Sequence, residues 1–147
     1  MAESLPTRIQ LELVTPERAV IHGSVIDVTL PGKSGYLGIL PGHAPLLTEL
    51  KAGELSYTED VVTHYLAVSW GFAEVLSDRV IVLVQASERA EEIDVERAQQ
   101  SRQRAEELLK RVSDAQVDRE RAQAALERAM ARLEVAEKAR ASAGSSH

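Results

Sequence analysis

Four arginines are the side chains best spaced for chemistry in this chain. Arg97 and Arg104 lie seven residues apart and would share one helix face, while Arg128 and Arg132, at i and i+4, would share a face of a second helix. Folded back antiparallel, two such helices would bring the pairs together. Guanidinium groups held close repel one another unless an anion sits among them, and their planar forks match phosphate well. The competing reading is a solvated face balanced by Glu106, Glu107, Glu127 and Glu134. On periodicity alone the solvated face carries the greater weight.

Other chemistry is thin. His22, His43 and His64 fall on separate elements without the short spacing of zinc sites. The absence of cysteine removes thiolate metal sites, thiol nucleophiles and disulfides, and suits a reducing compartment. Gly32-Lys33-Ser34 copies the end of a phosphate-binding loop, but Asp27 stands where that motif needs glycine, and no helix follows. Ser56, Ser69 and Asp60 are not set in a nucleophile elbow. Neither catalytic residues nor metal ligands are expected, so the chain reads as a non-enzyme. Its net charge of -6 argues against nucleic-acid partners and against direct binding to a membrane surface. No apolar run approaches the ~18 residues of a bilayer span, and the N-terminus lacks the pattern of a secretory leader.

The elements that must position these residues change character near Ser87. All five prolines and seven of the eight glycines lie at or before Gly71. Short, turn-punctuated elements are therefore expected first and long helices after. Before residue 88 there are five Lys/Arg against ten Asp/Glu, so the acidity belongs to the first part. Residues 8–14 alternate Ile9, Leu11 and Leu13 with polar side chains, and residues 25–30 alternate Ile26, Val28 and Leu30, which predicts half-buried strands. Further runs at 46–50, 55–57, 61–68, 72–76 and 80–84 suggest a sandwich or flattened barrel. Trp70, Phe72 and the three tyrosines are expected to fill or border its core.

From Ile93 the period becomes helical. Ala98, Ala105, Leu108 and Val112 line one face of a first helix that Asp94 can cap. Ala122, Leu126, Ala129, Leu133 and Ala136 form a seam along a second, begun either by Ser113 with Gln116 or by Asp118. A seam of alanines brings two helices close while burying little apolar area, so the hairpin is expected to open readily. The tail "ASAGSSH" is expected to fray.

The stretch "GYLGILPGHAPLLTEL", with "GFAEVLSDRVIVLV" and "ERAEEIDVERA" after it in the same order, resembles the epsilon-subunit family of bacterial and chloroplast F-type ATP synthases. The likeness runs from about Arg8 to Lys138. It implies a fold of about ten strands in an all-β sandwich, followed by an antiparallel α-helical hairpin. The divisions are then residues 1–87 and 88–147. The resemblance further implies a non-catalytic rotor subunit joining the catalytic head to the proton-driven ring. The sandwich would meet the gamma subunit and the c subunits of the rotor ring through a loop comprising Tyr36, Leu37, Gly38, Pro41, Gly42, His43, Ala44, Pro45 and Leu46. Some relatives carry an acidic residue at the position of Tyr36, so the ring contact is expected to be made differently here. The hairpin would fold on the sandwich or extend into the catalytic head and block ATP hydrolysis. Arg119, Arg121, Arg128 and Arg132 are the expected contacts to the catalytic alpha and beta subunits. Some bacterial relatives bind ATP in the compact state, and the matching positions are Glu88, Ile93, Asp94, Arg97, Ala98, Arg104, Arg128 and Arg132. ATP would be a regulatory ligand, with no cofactor required. The implied location is the cytoplasmic side of a bacterial inner membrane, reached through the complex without insertion. A free-standing ATP-sensing switch or coiled-coil adaptor is the alternative function.

Overall fold

The computed structural model describes residues 4–111 and 118–144. Residues 8–14 form a strand with the expected side inward, whereas in the 25–30 run Ile26 falls half-buried between two strands and only Val28 and Leu30 of the expected three enter the core. In β1 (Ile9–Val14) the side chains of Ile9, Leu11 and Leu13 are fully buried. β2 (Ala19–Val25) carries no clean alternation, since Gly23 and Ser24 interrupt it. It is recruited by antiparallel pairing with β1, burying only Ile21 and Val25. β3 (Asp27–Gly32) and β4 (Gly35–Ile39) make a hairpin, and β5 (Leu46–Leu50) and β6 (Gly53–Glu59) follow.

The runs expected at 61–68 and 72–76 are one strand, β7 (Val62–Val75), and β8 (Arg79–Arg89) pairs with it antiparallel. Eight strands are therefore formed among the described residues, against the about ten that the family resemblance implies. β7 organises the sandwich. One of its edges pairs first with β6 and then with β5 in a common register, Gly53 opposite Val68 and Leu50 opposite Gly71. Its other edge carries β8, which in turn pairs in parallel with β1. β6 also bonds β3, closing the sheet around a core that includes Leu30, Leu55, Leu66, Val75 and Val82.

The middle of β7 is where the chain passes from one partner to the next. Trp70 there has φ +26, a backbone that L side chains rarely adopt. Gly71 is needed beside it, because a Cβ at that position would lie 1.8 Å from the carbonyl oxygen of Leu83.

Glu88 and Arg89 remain in β8, paired with Ala67 and Leu66, so the sandwich continues two residues past Ser87. A 3-10 turn (Ala90–Glu92) then leads into α1 (Val95–Lys110). Asp94 caps it as expected, accepting from the Arg97 backbone N–H at 3.1 Å, and such a cap is worth ~1 kcal/mol. α2 (Arg119–Gly144) is capped by Asp118, which accepts from Arg121 N–H at 3.1 Å. Val112, Ser113 and Gln116 lie outside the described residues.

α2 is covered on two sides, packing against α1 on one and against β6 and β7 on the other. At about 100° per residue, Ala122, Leu126, Ala129, Leu133 and Ala136 fall on one stripe, while Ala131 and Val135 fall nearly opposite. The first is the expected seam, with Ala122 and Ala129 buried beside Ala98 and Ala105 of α1. The second stripe is buried on the sandwich. Arg128 and Arg132 sit on the flank between the two stripes.

Candidate functional sites

That flank is the chemically richest part of the molecule. Arg132 Nε donates to Glu88 Oε1 at 2.8 Å and its Nη2 to Oε2 at 3.1 Å, a two-toothed pair joining α2 to the end of β8. The Glu88 hydrogen bonds push the Arg132 pKa above its ordinary value, with partial burial opposing and the charges of Glu88 and Asp94 assisting. One turn earlier the Arg128 guanidinium lies 5.6 Å from the centroid of the Trp70 ring, within cation–π range. Both arginines line a cavity of about 210 Å³ with Ser69, Ser87 and Glu88. The buried Ser87 Oγ has no hydrogen-bond partner among the described residues.

The structure thus brings Glu88, Arg128 and Arg132 together and keeps Asp94 within electrostatic reach of Arg132. Ala98 is packed at the helix seam, and Ile93 is half-buried ahead of α1. Arg97 and Arg104 stand exposed on α1 and do not line the cavity; Arg104 donates to Ser101 Oγ at 3.4 Å on its own helix. Of the glutamates offered as counter-charges, Glu106 pairs with Arg102 at 2.9 Å and Glu127 accepts from Gln123 at 3.4 Å. Arg132 is balanced instead by Glu88, from a strand that helical periodicity cannot see. Arg119 and Arg121 are exposed in the first turn of α2, Arg121 about three turns before Arg132.

The loop between β4 and β5 is pinned. Gly42, at φ +86, donates its N–H to Ser77 O at 2.7 Å, and His43 N–H reaches Leu40 O at 3.2 Å. The His43 ring Nδ1 bonds the neighbouring Ala44 carbonyl at 2.7 Å, so the imidazole is a fixture of the turn. Around it Leu40 and Leu47 are 65% and 71% exposed. Tyr36 departs from this group. Its ring borders the groove against α2 with Glu134, its hydroxyl accepts from Glu54 N–H at 3.4 Å, and the Lys51 ammonium lies 5.7 Å from the ring centroid.

Phe72 corrects the expectation of a core aromatic: it is 54% exposed. It sits out of phase with buried Ala73 and Val75, and that parity is the signal that places it outward. Opposite it on β8 is Leu83, also exposed, and opposite Leu83 on β1 is Val14. An apolar ladder therefore crosses the outer face of three strands, with Leu47 on β5 beside it.

Fold and surfaces together define a two-part protein: a β-sandwich with an outward apolar ladder and a helical hairpin strapped along one side. The family described as ATP synthase, Delta/Epsilon chain, beta-sandwich domain matches residues 8–90, and its companion, the long alpha-helix domain, matches residues 91–137. The ATP synthase epsilon chain of Koribacter versatilis is 57% identical over 100 residues, spanning 68% of this chain and 70% of that protein. That of Citrifermentans bemidjiense is 47% identical over 132 residues, spanning 90% and 96%. A chain in the Euglena gracilis mitochondrial ATP synthase, OSCP/F1/c-ring in rotational state 1, matches with TM-score 0.79 at 25% identity, covering 93% of this chain and 84% of that one. This chain belongs to the ATP synthase epsilon-chain family. No described helix is long and apolar enough to cross a membrane.

Proposed function

We propose that the chain is the non-catalytic central-stalk subunit of an F-type ATP synthase, coupling the catalytic head to the rotor ring and restraining ATP hydrolysis by extending its hairpin. The observation that carries this reading is how α2 is held. Its sandwich-facing stripe buries only Ala131 and Val135, supplemented by Arg132–Glu88, Arg128–Trp70 and a 3.4 Å pair between Lys138 and Glu54. So little apolar area leaves the docked and released forms within a few kcal/mol, the condition for a two-state element. The pinned loop around His43 and the Val14–Leu83–Phe72 ladder supply firm apolar surfaces for the gamma subunit and the ring's c subunits. Arg119, Arg121, Arg128 and Arg132 would meet the alpha and beta subunits once α2 is released. The complex would sit on the cytoplasmic side of the bacterial inner membrane.

ATP fits the arginine flank in part. Its phosphates would be held by Arg128 and Arg132, with Arg97 and Arg104 outside the cavity and Glu88, Ile93, Asp94 and Ala98 shaping its surroundings. At about 210 Å³ the cavity is smaller than the ~300 Å³ of small-ligand pockets, so a nucleotide would lie across its mouth. Ligand binding there stabilises the compact state. Calorimetry should give saturable heat with ATP that Arg128→Ala plus Arg132→Ala abolishes. For the stalk role, ATP hydrolysis by an assembled head is compared with the full chain and with one ending at Arg89. Equal rates would discard inhibition by the hairpin.

A further inference from the structure

We propose that the free edge of β2 is a latent strand-pairing surface for a second copy of this chain, kept shut by the guanidinium groups of Arg8 and Arg89. Among the described residues β2 stands at one end of the strand order and pairs with β1 alone. The direction of its outward groups follows from the ladder. Gln10 on β1 gives its N–H to Asp78 O at 2.8 Å, on the β8 side, so it bonds away from Ser24, its opposite residue on β2. Bonded and non-bonded pairs alternate along an antiparallel ladder, and Ser24 and His22 therefore turn their N–H and C=O groups away from β1. A row of such groups is a template for another strand.

Two of the acceptors along this edge are already filled. Arg8 lays its side chain across β2, donating from Nε to Ser24 Oγ at 2.7 Å and from Nη2 to Ser24 O at 2.9 Å, while Asp60 holds its Nη1 at 3.4 Å. Arg89, the last residue of β8, donates from Nη2 to Val20 O at 3.2 Å. Val20 is the extra residue where the ladder shifts register, so β1 offers it no opposite residue. His22 lies midway between the two plugs, exposed, with its ring turned toward Glu12 at 3.4 Å on the face of the sheet. The arrangement is self-complementary. A second β2 running antiparallel about a two-fold axis at His22 would exchange backbone bonds between the two His22 residues and set Ser24 N–H of one copy opposite Val20 O of the other. Both guanidiniums must leave before that ladder can form.

The chain has no cysteine, so His22→Cys places a single thiol at the centre of the pairing surface. Hydrogen-bonded antiparallel residues stand about 5.5 Å apart at Cα, within the ~4.4–6.8 Å that a disulfide spans. In the full-length protein, adding Arg8→Ala and Arg89→Ala should speed formation of the disulfide-linked dimer by about tenfold or more, the worth of at least one charge-assisted hydrogen bond. A thiol from Gln100→Cys, exposed on α1, should cross-link at one rate with or without the two arginines. With His22 intact, the Arg8→Ala, Arg89→Ala chain should sediment as a larger species than the native one as concentration rises. His22→Pro, which removes an outward N–H without breaking a bond to β1, should return it to native behaviour. Equal thiol rates at position 22, a rise shared by Gln100→Cys, or association that survives His22→Pro would each overturn the pairing surface. Should the double substitution unfold the sandwich, Arg8→Ala alone, at a side chain 41% exposed, carries the same comparison with a smaller rise.

Discussion

Replacing Glu88 by Gln tests the strap at its strongest point. The substitution keeps size and one acceptor oxygen but removes the charge that fills the Arg132 fork. The pair has two hydrogen bonds of good length, and its side chains are 28% and 29% exposed. It is neither a surface pair, worth ~0–1 kcal/mol, nor a fully buried one whose breaking costs ~3–5 kcal/mol. Solvent screening at that exposure places the loss at about 1–2 kcal/mol of docking stability, or about 5- to 30-fold in the docked-to-undocked ratio. The assay is urea unfolding followed by Trp70 fluorescence, which senses departure of Arg128, alongside helical circular dichroism. Glu88→Gln, Arg132→Gln and the double variant close a cycle, and the coupling should exceed ~0.5 kcal/mol. No pH dependence of this strap through Arg132 is expected. Its pKa is raised in the folded state, so its contribution is complete below the ordinary arginine value and is lost only as pH climbs through the raised one, beyond any working range. Coupling indistinguishable from zero would refute the strap as an energetic element.

Gly71→Ala should destabilise the sandwich by ~3 kcal/mol or more, because the new methyl meets Leu83 O at 1.8 Å and must part β7 from β8. Gly23→Ala meets nothing within 4 Å and should leave the melting temperature unchanged or slightly raised. Phe72→Asp with Leu83→Asp should leave the circular dichroism spectrum intact yet abolish co-purification with a gamma subunit, since both side chains are more than half exposed. Ala131→Leu should slow thiol modification of Val135→Cys several-fold by filling the groove beside Leu50 and Trp70; faster modification would mean that the site is already tightly packed.

Period-two alternation made the strands around Ile9, Leu11, Val28 and Leu30 legible, because each has one face in the core and one in solvent. β2 was not, since His22, Gly23 and Ser24 carry no pattern and only pairing with β1 orders them. The continuity of β7 was hidden for a related reason: a Trp-Gly pair reads as a break, yet here the strand runs through it and holds the same register with β8 on either side, Ser69 opposite Ala86 and Gly71 opposite Val84. The seam alanines were legible from helical spacing. Ala131 and Val135 were not, because a helix buried on two opposite sides shows a blurred period. At the arginine flank, spacing found Arg128 and Arg132 but suggested α1 as the opposing wall. The wall is instead the β7–β8 edge, a long-range neighbour that only the fold supplies, and Glu88 entered the reading through family likeness alone.

The two stripes of α2 explain why its composition is so rich in alanine. On the proposed release α2 would expose both buried faces, and each leucine on them would add about three carbons of apolar surface, roughly 2 kcal/mol, to the cost of leaving. Small side chains keep that cost low and keep the opened helix from presenting an adhesive patch to other chains. Docking that is weak in apolar terms then needs polar contacts to fix its register, and Arg128, Arg132 and Lys138 supply them from α2. Those contacts can be exchanged for others of the same kind on a different surface. A helix held by leucines would have no comparable alternative site to move to, whereas one held by cations can pass from Trp70, Glu88 and Glu54 to any acidic surface presented in the same order.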